Sequence, residues 1–327
     1  MDLQGKKLSD YAYYRTGGHC QALYEPRSID ELSAILKNLH GNQTPYFVLG
    51  SGTNSLVWDD FYPGAVIIFS QMKRIRREVN QLICEAGADN TSIAQTALEG
   101  ALAGISWMNR LPGQIGATVR MNARCYAGEI SRVVSSVRAV LPDGTITHYT
   151  PADGIFKGYK DTLFMNNGAV IAEATLSLAP GDKTAIESHM KFCEDDRIKK
   201  GQFVYPTCGC VFKNNYRVGV PSGMLLDRAK AQCLSQATVA LNPQHSNFVY
   251  NKGASSAAIL AFTFQMQELV YQEFGVWMEY EMEILGRPAP ALQKRIKEVR
   301  PQKIKEDKIE PLRATFKKND QHMKPET

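Results

Sequence analysis

The sequence predicts an α+β protein of two or three compact domains, on three observations. Its 327 residues are 44% hydrophobic and 22% charged, the balance of an ordinary soluble globular chain long enough for several cores. Apolar runs with helical spacing alternate with short strand-like runs along the body of the chain. Two stretches, Tyr46–Val57 and Trp107–Asn122, break that alternation with turns carrying little side-chain bulk.

Residues 1–72 read as a first unit. Ala22–Tyr24 is a strand, and Ser28 with Glu31 fits a capping box ahead of Leu32, Ile35, Leu36 and Leu39, which share one helical face. The strand Tyr46–Leu49 enters the turn Gly50-Ser51-Gly52-Thr53-Asn54-Ser55, and Ala65–Phe69 is the next strand. Gly50 and Gly52 allow backbone angles closed to other residues, and successive N–H groups in such a turn form a concave anion site suited to a pyrophosphate. Taken alone, such a turn is more often a plain connection between strands. The following Leu56–Ser70 reads as strand and turn, which excludes the dinucleotide fingerprint with its amphipathic helix.

Residues 73–182 read as a second unit. A basic connector, Lys73–Arg77, leads to the strand Leu82–Ala86. Asp89–Ser92 opens a helix with Ile93, Ala97, Leu98 and Ala101 on its apolar face and Gly104 as its stop. Pro112, Gly113, Gly116 and Ala117 then make a second low-bulk turn, where a flat or charged ligand could lie against backbone. The two turns read either as one shared ligand site or as two unrelated loops. Val133–Leu141 and Thr145–Tyr149 form a hairpin across Pro142-Asp143-Gly144, and Ala169–Leu178 is a strand.

Residues 183–286 read as a third unit, with a helix through Met190–Lys200, the stretch Tyr205–Asn215, a helix at Ser222–Arg228, and a strand at Phe248–Tyr250. A longer helix, Ser255–Phe274, and a strand, Val276–Leu285, close it. Residues 287–327 carry twelve Lys or Arg against six Asp or Glu, so the chain's formal +5 belongs to this tail. Prolines and few apolar residues predict a flexible, solvated extension, and without interleaved aromatics no nucleic-acid partner is expected.

Met1–Asp10 has no apolar signal core, and no stretch approaches ~18 uninterrupted apolar residues, so a cytoplasmic protein without membrane contact is expected. Seven scattered cysteines match neither a disulfide framework nor a zinc site; reduced thiols and no metal are expected.

Several motifs, in order, resemble the UDP-N-acetylenolpyruvoylglucosamine reductase family. Val48–Val57 (VLGSGTNSLV) is similar to the family's first FAD loop and Leu111–Asn122 (LPGQIGATVRMN) to its second. Tyr126–Glu129, Gly158–Asp161, Gly209–Asn214, Pro243–Phe248 and Glu279–Gly286 follow. The resemblance covers about Tyr14 to Gly286. It implies a two-subdomain FAD-binding region of the vanillyl-alcohol-oxidase type (1–72 and 73–182) and a C-terminal α/β substrate domain (183–286), in the compact form without a lid insertion. It further implies FAD as cofactor, NADPH as co-substrate and UDP-N-acetylglucosamine enolpyruvate as substrate. A monomer is expected.

The same resemblance assigns residues. Gly50, Ser51, Gly52, Thr53, Asn54, Ser55, Pro112, Gly113, Gly116, Ala117 and Asn122 would hold FAD. Lys160 as a cation and Glu281 as a carboxylic acid would stabilise the negative charge that grows on the pyruvyl carboxylate when hydride adds to C3. Cys210 stands where the family usually has serine, as the proton donor to C2; a thiol gives up its proton more easily than an alcohol. Tyr159, Lys213, Asn214 and His245 would contact substrate.

The chain departs from the family pattern at Lys160, where arginine is usual, at Ala117, where glycine is usual, and at Arg124 and Cys125, where small residues are usual. A lysine cannot make the planar two-point contact with a carboxylate, so reduced activity or another substrate is the alternative. A third reading is a non-catalytic protein that binds polyanions through its basic tail.

Overall fold

The computed structural model describes residues 7–321, so residues 1–6 and 322–327 of the first unit and the tail lie outside the described residues. Unit 1 comprises the residues up to Ala12, His19–Thr53 and Phe61–Ile198; unit 2 comprises Tyr13–Gly18, Asn54–Asp60 and the residues from Lys199 onward.

In unit 1 three parallel strands lie in the order Cys20–Tyr24, Tyr62–Ile68, Tyr46–Leu49. Parallel strands need a crossover, and the helix Ile29–Gly41 joins the two outer ones. Ser28 Oγ accepts the Glu31 N–H at 3.1 Å, but the Glu31 carboxylate accepts from the Arg27 N–H at 2.8 Å, one residue earlier than a capping box requires. Leu32, Leu36 and Leu39 share a core with Ala65, Ile67 and Phe69.

The second sheet of unit 1 is antiparallel, in the order Ile146–Tyr149, Val134–Val140, Val170–Ser177, Gln81–Glu85, Ile75–Glu78. The expected hairpin is present, its turn fastened by Asp143, whose carboxylate accepts the Thr145 N–H at 2.9 Å. The basic connector is an edge strand instead, because cross-strand carboxylates accommodate it: Arg76 reaches Glu173 at 3.7 Å and Arg74 reaches Glu85 at 3.5 Å.

Asp89 caps the helix Asn90–Glu99, which stops at Gly100, short of Gly104, because Leu102–Ala103 pairs with Ala179–Pro180. The second glycine stretch holds a short helix, Ile115–Arg120, rather than a turn alone, since Ile115 and Val119 bury one face. The helix Lys183–Lys199, placed by sequence at the head of the third unit, puts Ile186, Met190 and Cys193 into the core of unit 1.

Unit 2 is built on an antiparallel sheet in the order Thr207–Cys210, His245–Asn251, Val239–Asn242. The helix Ser256–Phe274 buries Ile259, Phe262, Met266 and Val270 as its spacing predicts, and Ser255 caps it. The expected strand Val276–Leu285 shrinks to Glu283–Leu285, parallel to Ser55–Val57. Its first half is held by the tail: the Gln302 side chain bonds both the N–H (3.0 Å) and the C=O (2.9 Å) of Trp277.

That tail is not a flexible extension through its described part. Helices Pro290–Ile296 and Glu306–Gln321 lie on unit 2, Ile309 is fully buried, and Arg300 forms a two-point contact with Glu268 at 2.7 and 2.6 Å. Lys308 pairs with Glu273 at 2.7 Å. Low apolar content misleads here because the basic residues meet carboxylates on the helix Ser256–Phe274. No helix among the described residues is long and apolar enough to cross a membrane.

Candidate active site

The residues expected to hold a cofactor divide between the units. Gly50, Ser51, Gly52 and Thr53 belong to unit 1 with Pro112, Gly113, Gly116, Ala117 and Asn122. The two glycine stretches are neighbours there. A Cβ on Gly50 would stand 3.3 Å from Gln114 Oε1, and one on Gly113 would stand 3.2 Å from Thr53 Oγ1 and 3.3 Å from Asn90 Nδ2. Gly113 also has φ +138°, so a larger residue there would be strained in its backbone and tight against both side chains. Gly116 and Ala117 lie in the helix Ile115–Arg120, Ala117 exposed.

Asn122 is buried at φ +44° and ties this region together. Its Nδ2 donates to Glu129 Oε1 at 2.7 Å and to the Gly158 carbonyl at 3.0 Å. Asn122 Oδ1 and Asn90 Nδ2 are buried with no hydrogen-bond partner among the described residues, one an acceptor and the other a donor. Asn90 escaped the sequence reading because it hides in the first turn of a helix; its Oδ1 accepts from Thr118 Oγ1 at 3.0 Å.

Gly158 ends the first strand of a hairpin, Phe156–Gly158 with Asp161–Thr162, whose two-residue turn is Tyr159-Lys160. Lys160 has φ +53° and is 8% exposed, so it is no surface lysine. The Arg124 guanidinium lies 4.2 Å from the Tyr159 ring centre, and Arg124 is half-buried. Burial pushes the Cys125 thiol up to about 11, against the opposing charges of Arg197 and Lys160. Arg197 was also missed. Fully buried, it donates to the carbonyls of Asn109 (2.7 Å) and Trp107 (3.0 Å) and lies 3.2 Å from Cys125 Sγ, fixing the approach to Pro112.

Unit 2 brings Cys210 and Glu281 together. The strand Thr207–Cys210 contains a bulge: Thr207 faces Tyr250, Cys210 faces Phe248, and Gly209 between them has φ +74°. Cys208 is buried and Cys210 half-buried. Burial, then Cys210 and Glu281 nearby, raise the Cys208 thiol far above its usual range. The Glu281 N–H donates to the Val211 carbonyl at 2.8 Å, so Glu281 lies beside the residue that follows Cys210.

Asn54 serves this arrangement directly. Its Nδ2 donates to the Glu281 carbonyl at 3.0 Å, its carbonyl accepts the Glu283 N–H at 2.9 Å, and Ser55 pairs with Glu283. Asn247 clamps the same segment, accepting the Phe212 N–H at 3.0 Å and donating to its carbonyl at 2.8 Å. Asn247 lies inside the quoted Pro243–Phe248 motif, but a clamp between strands leaves no local pattern.

Lys213 and Asn214 follow Phe212. The Lys213 carbonyl accepts from Ser222 Oγ at 2.6 Å, and Asn214 Oδ1 accepts the Ser222 N–H at 2.9 Å, so Asn214 fastens the helix Ser222–Arg228. His245 packs on Phe248 with ring centres 4.3 Å apart, beside Gly223.

A family model described as "FAD binding domain" matches residues 20–150, and one described as "UDP-N-acetylenolpyruvoylglucosamine reductase, C-terminal domain" matches residues 200–285. The UDP-N-acetylenolpyruvoylglucosamine reductase of Lactobacillus helveticus is 31% identical over 281 residues, 86% of this chain and 93% of that protein. The enzyme of that name from Leuconostoc mesenteroides is 32% identical over 288 residues, 87% and 97% of the two chains. The crystal structure of the Thermus caldophilus enzyme aligns with a TM-score of 0.72 at 27% identity, covering 86% of this chain and 97% of that one. On identity, coverage and both matched domains, the chain belongs to the UDP-N-acetylenolpyruvoylglucosamine reductase family.

Proposed function

We propose that the protein reduces UDP-N-acetylglucosamine enolpyruvate to UDP-N-acetylmuramate with NADPH, the step that supplies this peptidoglycan precursor. The observation that carries the reading is that Glu281, through its N–H on the Val211 carbonyl, lies beside the residue that follows Cys210 in unit 2. The protein fits FAD: two glycine stretches back onto each other, and a buried amide donor and acceptor wait for partners beside them. When bound, FAD supplies the two-electron carrier between NADPH and the enolpyruvyl group.

Gly50–Thr53, Pro112–Gly113, Asn90 and Asn122 hold the cofactor in this reading. Cys210 gives its thiol proton to C2, and its half-buried position allows reprotonation from solvent. Buried Lys160, as a cation, and Glu281, as a carboxylic acid that donates a hydrogen bond, stabilise the negative charge that accumulates on the substrate carboxylate. Tyr159, Lys213 and His245 contact substrate. The protein acts as a cytoplasmic monomer.

The test is direct. Purified protein is yellow and oxidises NADPH only when the enolpyruvyl sugar nucleotide is present; colourless protein, or NADPH oxidation indifferent to that substrate, overturns the proposal. Lys160 in place of the family's arginine favours one second reading, a related acidic substrate. Turnover of another enolpyruvyl or unsaturated acid in preference to this one would establish it.

A further inference from the structure

The C-terminal extension lies beyond the matched C-terminal domain, which ends at residue 285, yet its second helix reaches back to the loop that follows Lys213 and Asn214. That loop, residues 213–222, is fastened at its base by Ser222, which bonds the Lys213 carbonyl and the Asn214 side chain. At its far end Asn215 organises a tight turn: its carbonyl accepts the N–H groups of Val218 (3.0 Å) and Gly219 (3.3 Å), and its Oδ1 accepts that of Arg217 at 3.1 Å.

Arg313 holds this turn from outside. Its Nε donates to the Val218 carbonyl at 2.8 Å, and its side chain lies 3.5 Å from the position a Cβ would take on Gly219. The guanidinium is aimed by Glu306 and Glu310 of its own helix, at 2.6 and 3.0 Å. The helix is seated by Ile309, which shares a core with Val218 and Val220. Arginine suits this task, since its planar donors serve a carbonyl and two carboxylates at once.

We propose that Arg313 is a positioning residue: through the Val218 carbonyl it fixes the 213–222 loop and thereby sets the presentation of Lys213 to the substrate. The proposal rests on the reading of Lys213 as a substrate contact. A loosened loop weakens ground-state binding more than the chemical step, so the effect falls on KM rather than kcat.

The experiment compares the full-length parent with Arg313→Gln and Arg313→Lys in steady-state NADPH oxidation with the enolpyruvyl sugar nucleotide. Amide exchange is followed over residues 213–222. In Arg313→Gln, KM for the sugar nucleotide rises about three- to tenfold, the range expected for one lost hydrogen bond. Its kcat, flavin absorbance and KM for NADPH stay at the parent's values, and exchange in the loop accelerates. Arg313→Lys lies between the two. Faster exchange with unchanged KM makes the contact purely structural and overturns the proposal, as does unchanged exchange in both variants. A parent that binds flavin but does not turn over this substrate would refute the proposed reaction, while the exchange measurement still reads the brace.

Discussion

The backbone N–H of Glu281 donates to the carbonyl of Val211 at 2.8 Å, so an acid 70 residues away in sequence is set beside the segment that begins at Cys210. Asn54 and Asn247 hold the two sides of that contact. Glu281 and the segment that follows Cys210 therefore belong to one hydrogen-bonded piece of unit 2.

Cys210→Ala is expected to lower kcat about 10²- to 10⁴-fold, the usual contribution of a positioned general acid. Flavin reduction by NADPH in a single-turnover experiment is expected to stay at the parent rate, since the proposed role of Cys210 is on the substrate. Cys210→Ser retains part of the activity. Unchanged turnover in the alanine variant would remove the thiol from the mechanism.

Asn122→Ala removes a donor from the Gly158 carbonyl and from Glu129 Oε1, which keeps Ser131 Oγ at 3.0 Å, and puts alanine in place of asparagine, which tolerates φ +44° better. A loss of about 1–3 kcal/mol of stability is expected, with weaker flavin retention measured by the absorbance ratio after gel filtration. Asn122→Gly tolerates the backbone but lacks the amide. It should therefore lose flavin as the alanine variant does, and equal retention to the parent would show the side chain dispensable.

Ile309→Ala tests whether the tail is part of the fold. The side chain is fully buried, so its truncation costs about 2–4 kcal/mol, seen as a lower Tm in thermal unfolding. A flexible tail predicts no change.

Thiols raised by their surroundings, buried Cys84 and half-buried Cys125 among them, are expected to make the protein less stable in alkali. Burial raises Cys84 to about 12 and Cys125 to about 11, from an ordinary 9.0. Both stay protonated in the folded protein while the unfolded chain ionises, so their contribution is complete below about pH 9 and is lost as pH rises toward 11 and 12. Tm measured from pH 8 to 11 should fall, and less steeply in Cys125→Ser. A parallel decline in both proteins would exclude Cys125 as a source.

The sequence alone determined the local elements and the family. Helical spacing from Ser255 to Phe274, the hairpin at Pro142–Gly144 and the strand at Tyr46–Leu49 follow from residue order, because caps, turn residues and apolar periodicity act within a few positions. Ordered motifs pointed to the two glycine stretches as candidate cofactor loops and to Lys160, Cys210 and Glu281 as candidate catalytic residues. Tertiary structure decided what depends on distant partners: Ile75–Glu78 as an edge strand, Lys183–Lys199 in the core of unit 1, and the basic tail folded by its pairs with Glu268 and Glu273. It also revealed Asn90, Asn247 and Arg197, whose polar atoms bond backbone or side chains far away in sequence. A long-range hydrogen bond or ion pair leaves no periodic trace, so its members become visible only once the chain has brought them within about 3 Å of each other.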